Sequence, residues 1–283
     1  MKRAISLDAF RGFAIIMMVL SGTIASNVLP AWMYHAQVGP RSNWQKAVMD
    51  YSPCSWMFQF NFLKYLFIVI PGTIAGEYLK DWIKNRTHSD QMESLNSRRT
   101  PWILAVSIAL LVVNLYGLYT RCLVLNLFST VALLITLWYL LKTQEDDGRC
   151  WKNLFVAGAY LLMLGLFFEA FEGGIRKDYS TYSYYFVTSG LAFFTLLAFT
   201  IMGDVYHLEK WLKPLIQAGK NPMIAYVAIN MVVMPLINLL GLTEYLDFFN
   251  ANAWLGFLRG IIITSIAVSL AMICSRFKLY WRT

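Results

Sequence analysis

The sequence predicts an all-α protein, a polytopic transmembrane helix bundle of about eight spanning helices that forms a single domain over residues 1–283. Two observations lead to this fold class. Hydrophobic residues make up 58% of the 283 positions and charged residues only 14%, whereas soluble domains average roughly 45–50% and about 25%. The hydrophobic residues also lie in long, nearly uncharged stretches. This composition excludes disorder and a coiled coil, and a soluble enzyme of this length could not bury so many apolar residues.

Eight stretches can cross the hydrocarbon core of a bilayer, which takes about 20 mostly apolar residues at 1.5 Å per residue. Because backbone groups in lipid must find partners within their own segment, we expect each stretch to be a helix. In chain order the predicted spans are Gly12–Leu29, Phe58–Leu79, Pro101–Tyr119, Leu123–Leu141, Leu154–Ala170, Tyr182–Met202, Met223–Leu242 and Trp254–Ile273.

Local features bear on individual spans. The first follows Lys2 and Arg3 as a signal peptide would, but its apolar run exceeds the usual length of about 7–15 residues and no A-x-A site follows, so we interpret it as a retained helix. The second is the weakest, because Lys64 and Glu77 lie near its ends. The fifth is followed by two glycines that end it, and Pro235 predicts a kink in the seventh.

The basic residues orient these helices. With a cytoplasmic N-terminus, seventeen of the 24 lysines and arginines fall on the inner side and seven on the outer side. The positive-inside rule therefore predicts that the N-terminus and the C-terminus are both cytoplasmic. The amphipathic segment Tyr206–Lys220, which carries Trp211, is predicted to lie on the inner surface. Basic residues are not clustered with aromatic residues that could stack on bases, so no nucleic-acid partner is expected.

One of the three histidines stands apart from the others. His35 follows Tyr34 in an aromatic-rich stretch at the outer end of the first span, whereas the other two lie in charged cytoplasmic loops where we expect them to be solvated. His35 is therefore a candidate catalytic group, or else a member of an aromatic belt at the membrane surface. No histidine or cysteine spacing suggests a metal site. Whether Cys54 and Cys122 pair on the outer side stays open.

The fifth span ends in a charged turn. Glu169 and Glu172 are three residues apart, so they share a helix face, and the two glycines after them are followed by Arg176 and Lys177. A carboxylate at this point could orient the imidazole of His35 or bind a cationic or amino substrate. The alternative is a helix end terminated by glycines, with its charges solvated in a flexible turn.

Four further charged residues lie near the predicted membrane boundaries. On the outer side, Lys64 and Arg259 either extend to the lipid headgroups or bind an anionic group. On the inner side, Asp8 and Arg11 are three residues apart and could pair across one helical turn. Asp8 could instead cap the first helix, with Arg11 as a cytoplasmic anchor.

Residues 3–12, which read RAISLDAFRG, resemble the opening of the heparan-alpha-glucosaminide N-acetyltransferase-like family of transmembrane acyltransferases. The Tyr34-His35-Ala36 stretch matches the position of the catalytic histidine of that family. Residues 66–76, 172–178 and 219–222 look like its bacterial branch, so the resemblance covers most of the chain. A further helix that the family usually places soon after the histidine loop is missing, which makes the chain similar to an internally shortened member.

The resemblance implies an acyltransferase of the N-acetyltransferase type in the bacterial inner membrane. It would move an acetyl or other acyl group from cytoplasmic acetyl-CoA to an amino sugar or glycan on the periplasmic side, with no metal and with His35 as base or acyl carrier. We expect Glu169 and Glu172 to assist His35, and Asp8 and Arg11 to lie at the CoA entrance or to be structural. The expected substrate-binding residues are Tyr34, Lys64, Arg176, Lys177 and Arg259. The expected partners are the lipid bilayer, the sugar substrate and a second copy in a homodimer.

Two other functions remain open from the sequence. A transporter or a flippase for a sugar or lipid-linked substrate could use Arg259, Lys64 and the glutamates along a polar path. A non-catalytic membrane subunit is the third hypothesis, because of the missing helix. Neither alternative needs an acyl donor, so binding of acetyl-CoA would separate them from the enzyme.

Overall fold

A computed structural model describes residues 5–23, 65–85, 99–142, 149–176, 180–243, 248–249, 252–277 and 279. The regular elements within these ranges are all helical and no strand occurs among them, so the predicted all-α fold is confirmed for this part of the chain. The α-helices are α1 (Ile5–Thr23), α2 (Leu66–Asn85), α3 (Thr100–Tyr119), α4 (Leu123–Lys142), α5 (Arg149–Glu172), α6 (Tyr182–Thr200), α7 (Glu209–Lys220), α8 (Pro222–Ala228), α9 (Met234–Leu239) and α10 (Ala253–Arg276). Two short π-helical turns, Ile201–Val205 and Ile229–Val233, extend α6 and join α8 to α9.

Six helical segments of the described chain are long and apolar enough to cross a membrane, so the chain is a multi-pass membrane protein. They correspond to the third through eighth predicted spans: Thr100–Tyr119, Leu123–Lys142, Arg149–Glu172, Tyr182–Val205, Pro222–Leu239 and Trp254–Arg276. The first two predicted spans overlap α1 and α2, but each also includes residues outside the described ranges. The count of eight and the cytoplasmic placement of both termini stay predictions.

The helix boundaries differ from the predicted ones where polar residues continue a helix. α1 begins at Ile5 rather than at Gly12, so Asp8 lies inside its first turn. α2 continues past Leu79 to Asn85 through the lysines and the aspartate that follow the apolar run. Lysine has good helix propensity, so a helix does not end where its hydrophobicity ends. Pro235, from which a kink is predicted, lies in the first turn of α9, and the π-helical turn Ile229–Val233 comes just before that helix.

The described residues form two compact units, which we call the central unit and the terminal unit. The central unit contains α2 to α6 and ends at Ile201, and the terminal unit contains α1 and the described residues from Met202 onward. The single domain expected over residues 1–283 stays a prediction.

In the central unit, α5 and α6 pack through small residues. A methyl group added at Gly165 would lie 2.6 Å from the backbone nitrogen of Val187, and one added at Gly190 would lie 2.7 Å from that of Leu162. Helices in lipid gain stability from such close approach, because apolar side chains alone do not prefer protein to lipid. The contact holds the end of α5 next to the beginning of α6, where the predicted charged turn lies.

A buried amide network joins α3 to α4. Asn126 Nδ2 and Thr130 Oγ1 each donate to Asn114 Oδ1 at 3.2 Å, and Asn114 Nδ2 donates to the Leu110 carbonyl at 3.0 Å. All three polar side chains are almost fully buried. Such bonds between membrane helices contribute roughly 0.6 kcal/mol each, and they set the register in which the turn between α3 and α4 is presented.

The terminal unit has its core between α1, the π-helical turn Ile229–Val233 and α10. Five buried apolar residues form this core: Val19, Ile229, Val233, Ile263 and Ala267. Thr23 at the end of α1 lies with its hydroxyl 3.3 Å from that of Thr264 in α10. These contacts hold α1 against α10 along its second half.

Candidate functional site

The predicted site residues divide into those the structure describes and those it does not. Tyr34, His35, Lys64 and Lys177 lie outside the described residues. The others fall at two places, one in each unit. The central unit holds Glu169, Glu172 and Arg176, and the terminal unit holds Asp8, Arg11 and Arg259.

The carboxylate of Glu172 caps the beginning of α6. It is only 8% exposed, and it accepts hydrogen bonds from the backbone N–H of Tyr182 at 2.9 Å and of Ser183 at 2.8 Å. The first N–H groups of a helix have no partner within the helix, and the helix dipole favours a negative charge there. Glu172, the last residue of α5, therefore ties the end of one span to the start of the next.

Thr181 completes this cap from the other side. Its hydroxyl oxygen accepts from the backbone N–H of Tyr184 at 3.4 Å, which is the usual bond of an N-cap threonine. The same oxygen accepts from the Arg176 N–H at 3.2 Å, and the Thr181 N–H donates to the Arg176 carbonyl at 3.2 Å. The backbone of Arg176, predicted to bind substrate, is thus part of the turn.

The carboxylate of Glu169 is held by an arginine from another turn. Glu169 is 1% exposed, and its Oε1 accepts from Arg121 Nη1 at 2.6 Å. A buried carboxylate needs such a charged partner, because its desolvation would otherwise cost several kcal/mol. The guanidinium of Arg121 is itself 46% exposed, so the pair lies at the edge of the central unit with its positive end toward the surroundings.

Arg121 occupies a backbone position that usually belongs to glycine. Its φ is +59°, at the point where α3 ends and the chain reverses into α4. The Cys122 N–H donates to the Gly117 carbonyl at 3.1 Å, as in the common helix ending with one left-handed residue. A residue with a side chain costs roughly 1–2 kcal/mol in this conformation. The ion pair of this arginine with Glu169 is an interaction that offsets this cost.

α5 ends at two glycines, as the alternative expects, since Gly173 and Gly174 follow Glu172 with φ +67° and +140°, but the two carboxylates are not solvated. Glu169 and Glu172 share one end of α5 as predicted, but both carboxylates are buried and each accepts hydrogen bonds from the chain itself. Burial comes from α6 and the turn after α3, which sequence spacing does not reveal. In this arrangement both carboxylates position other groups.

An aromatic groove lies beside Glu172. It has a volume of about 460 Å³ and is lined by Phe167, Phe168, Phe171, Glu172 and Tyr182. The Phe168 ring packs 5.7 Å from the ring of Tyr182, centroid to centroid. This volume lies within the usual range of small-ligand sites, roughly 300–1,000 Å³.

In the terminal unit, the opening motif meets the segment 215–219 backbone to backbone. A methyl group at Gly12 would overlap the carbonyl oxygen of Leu215, and one at Gly219 would overlap the carbonyl oxygen of Asp8. Only glycine permits this approach of α1 and α7. Two segments about 200 residues apart, each of which carries the family resemblance, therefore form one contact.

Asn221 ties the same place to the end of α10. It is fully buried, and its side-chain amide donates to Ser275 Oγ at 2.9 Å and to the Leu279 carbonyl at 3.0 Å. Asn221 separates α7 from α8, and Pro222 lies in the first turn of α8. The break in the helix is thus fixed by a side chain that bonds across the unit.

The remaining predicted site residues of the terminal unit differ in how exposed their side chains are. Asp8 is 3% exposed, Arg11 is exposed on the next turn of α1, and Arg259 is half-buried in the second turn of α10. Asp8 belongs to the contact with Gly219 through its carbonyl, which supports the structural interpretation of this residue. Within the described residues, no group of three or more histidine, cysteine, aspartate or glutamate side chains could hold a metal ion.

Sequence reasoning missed two residues that organise these sites, Arg121 and Thr181, and singled out Asn221 only as part of the stretch 219–222. Arg121 was counted only as an outer cation. A signal for it exists, since only Thr120, Arg121 and Cys122 separate two spans. So short a reversal needs a left-handed residue, and it places that residue at the membrane boundary.

Comparison with known proteins gives one partial match. A family model described as a domain of unknown function, DUF5009, matches residues 3–43 and 41–79, about a quarter of the chain. The matched residues include the opening motif and the Tyr34-His35 pair. No curated protein and no solved structure matches this chain.

Proposed function

We propose that this protein is a membrane-embedded acyltransferase that moves an acetyl group from cytoplasmic acetyl-CoA to an amino sugar or glycan at the opposite membrane surface. The observation that carries the proposal is the opening motif followed by His35, which resembles the transmembrane N-acetyltransferases. The family model matches the motif and the histidine within one segment, residues 3–43, and assigns no activity to them.

The proposal includes a topology of eight spans in the bacterial inner membrane, with both termini in the cytoplasm. In that topology the Gly12–Gly219 contact and Asn221 lie at the cytoplasmic ends of spans, and the Arg121–Glu169 pair lies at a periplasmic end. Two contacts support this topology, because helix ends that the charge distribution assigns to the same side of the membrane contact one another. The turn after α3 contacts the end of α5, and the start of α1 contacts the end of α7.

His35 supplies the chemistry in this proposal. An ammonium group is not nucleophilic, and an imidazole with an ordinary pKa near 6.5 can take its proton. The free amine then attacks the thioester carbonyl carbon, the C–S bond breaks, the CoA thiolate leaves as the thiol by taking that proton from the imidazolium, and the new amide nitrogen releases its second proton to water. In the alternative order, the imidazole accepts the acetyl group first and passes it to the amine.

The buried carboxylates have a different part from the one expected from the sequence. Glu172 holds the start of α6 and Glu169 holds Arg121, so we assign them to positioning rather than to proton transfer. The groove of Phe167, Phe168, Phe171 and Tyr182 beside them is a candidate site for an apolar portion of the acceptor.

The test is acetyl transfer in proteoliposomes that contain labelled acetyl-CoA on one side and amino sugars on the other. A general base contributes about 10²–10⁴-fold, so His35→Ala should lose at least 100-fold of the transfer rate. His207→Asn is the matched control, because His207 is exposed with φ +50° and asparagine tolerates that conformation.

Full activity in His35→Ala would remove the assigned role of this residue. Substrate movement across the bilayer without an acyl donor would instead identify a transporter or flippase. If purified wild-type protein neither binds acetyl-CoA nor moves a sugar, the non-catalytic subunit becomes the better hypothesis.

A further inference from the structure

Helix α7 is held at the level of a membrane surface. The apolar segment Tyr182–Val205 ends three residues before Leu208, which is the N-cap of α7. The next apolar segment begins at Pro222, two residues after Lys220, the last residue of α7. Its 12 residues make a rod of about 18 Å at 1.5 Å per residue. With a span attached at each end by such short links, α7 cannot move away from the boundary between lipid and water.

One face of α7 packs against protein. Leu212 is 6% exposed, Ala218 is fully buried, and Gly219 contacts the backbone of α1 at Asp8. This contact fixes the rotation of α7 about its own axis. The face opposite is therefore presented in one orientation, not in many.

The first turn of α7 exposes two cations three residues apart on one side of the helix, and a tryptophan on a flank of that side. The indole of Trp211 is 83% exposed, and Lys210, Lys213 and Pro214 beside it are exposed too. Tryptophan prefers the boundary between headgroups and acyl chains, where its ring is in apolar surroundings and its N–H remains hydrated. Two ammonium groups three residues apart on one side of a helix favour an anion.

We infer that Lys210 and Lys213 of α7 bind the phosphate-bearing headgroup of an anionic membrane lipid, with the indole of Trp211 on the flank beside them inserted at the headgroup boundary. The occupant is chosen by charge complementarity and by the exposed indole, because a lipid offers a phosphate next to acyl chains that an indole can contact. This inference does not depend on the acyltransferase proposal.

The test uses quenching of tryptophan fluorescence by lipids with dibrominated acyl chains. The full chain and Trp211→Phe are reconstituted into vesicles that contain brominated phosphatidylglycerol or brominated phosphatidylcholine, and the difference between the two proteins isolates the Trp211 signal. A lysine near an anionic surface contributes roughly fivefold, so two should give a preference of about 25-fold for phosphatidylglycerol. Lys210→Ala/Lys213→Ala should reduce this preference to about onefold.

The matched control is Lys84→Ala/Lys142→Ala, which removes the same charge from the ends of α2 and α4. It should leave the preference within about twofold of the wild type, because its lysines lie on other helices. Equal loss in both double variants would overturn the inference, since a general surface charge would then explain the preference.

Three further outcomes would also overturn it. A Trp211 signal that neither brominated lipid quenches would mean that the face does not meet lipid. Equal quenching by both lipids in the wild type would mean that the headgroup is not recognised. Loss of the preference on addition of soluble glycerol phosphate at millimolar concentration would assign the site to a free phosphate instead.

Discussion

Substitution of Glu172 tests whether this carboxylate holds the structure or performs chemistry. Glu172→Ala removes two acceptors at the start of α6. Because Ser183 is fully buried, its N–H would then have no hydrogen-bond acceptor, at a cost of roughly 1–3 kcal/mol. The Tyr182 N–H belongs to a residue that is 36% exposed, so solvent can satisfy it in part. Loss of the charge at the helix N-terminus adds about 0.3–1 kcal/mol.

We therefore expect Glu172→Ala to lower stability by about 1–4 kcal/mol. Glu172→Gln retains one acceptor oxygen for a backbone N–H and should lose roughly half as much. The measurement is thermal unfolding of the purified chain in detergent. Glu77→Ala is the control, because Glu77 is an exposed glutamate on another helix, α2.

The reasoning fails if Glu172→Ala unfolds at the same temperature as Glu77→Ala. A catalytic role has a different signature from a positioning role. If Glu172 carried a proton in the reaction, Glu172→Gln would abolish acetyl transfer while the protein remained as stable as the control. A positioning carboxylate predicts that Glu172→Gln retains most of the activity measured below its unfolding temperature.

Two further predictions concern the other contacts. Arg121→Ala and Arg121→Gly both leave Glu169 without its ion pair, but glycine removes the left-handed strain. Arg121→Gly should therefore be more stable than Arg121→Ala by roughly 1 kcal/mol in the same unfolding assay. Equal stability of the two variants would mean that the conformation carries no strain. Gly219→Ala should destabilise the protein by about 1–3 kcal/mol, because the added methyl group would overlap the Asp8 carbonyl. Gly72→Ala is the control: no described residue lies within 4 Å of the added methyl group, so this change should be neutral or stabilising by up to about 1 kcal/mol. The opposite order of stability would contradict the backbone contact.

The spans were the most predictable part of the fold. Hydrophobic runs locate a membrane helix because lipid leaves no other solution for the backbone, and the third through eighth predicted spans match the helices found. Ends were less predictable. α1 and α2 continue through charged residues that a hydropathy window excludes, since those residues form helices in water as well as in lipid.

The candidate site was predictable only within single turns of helix. The spacing of Glu169 and Glu172 showed that they share one end of α5. It did not show that Arg121, 48 residues earlier, would bind one of them, or that the start of α6 would bind the other. Such pairings depend on which helices become neighbours. In the same way, nothing in the separate motifs at residues 3–12 and 219–222 indicates that their glycines meet.

That meeting of glycines bears on where the reaction would take place. The contact between Gly12 and α7 sets the depth of α1, because α7 is held at a membrane surface by the spans on both sides of it. If Gly12 lies at that surface, about 20 residues of helix are needed to reach the opposite one. The sequence predicts a first span of this length, and it therefore predicts that Tyr34 and His35 follow just beyond the far boundary. The α1–α7 contact and the candidate catalytic histidine are then two ends of one predicted span, and any change that displaces α7 should alter the depth of His35.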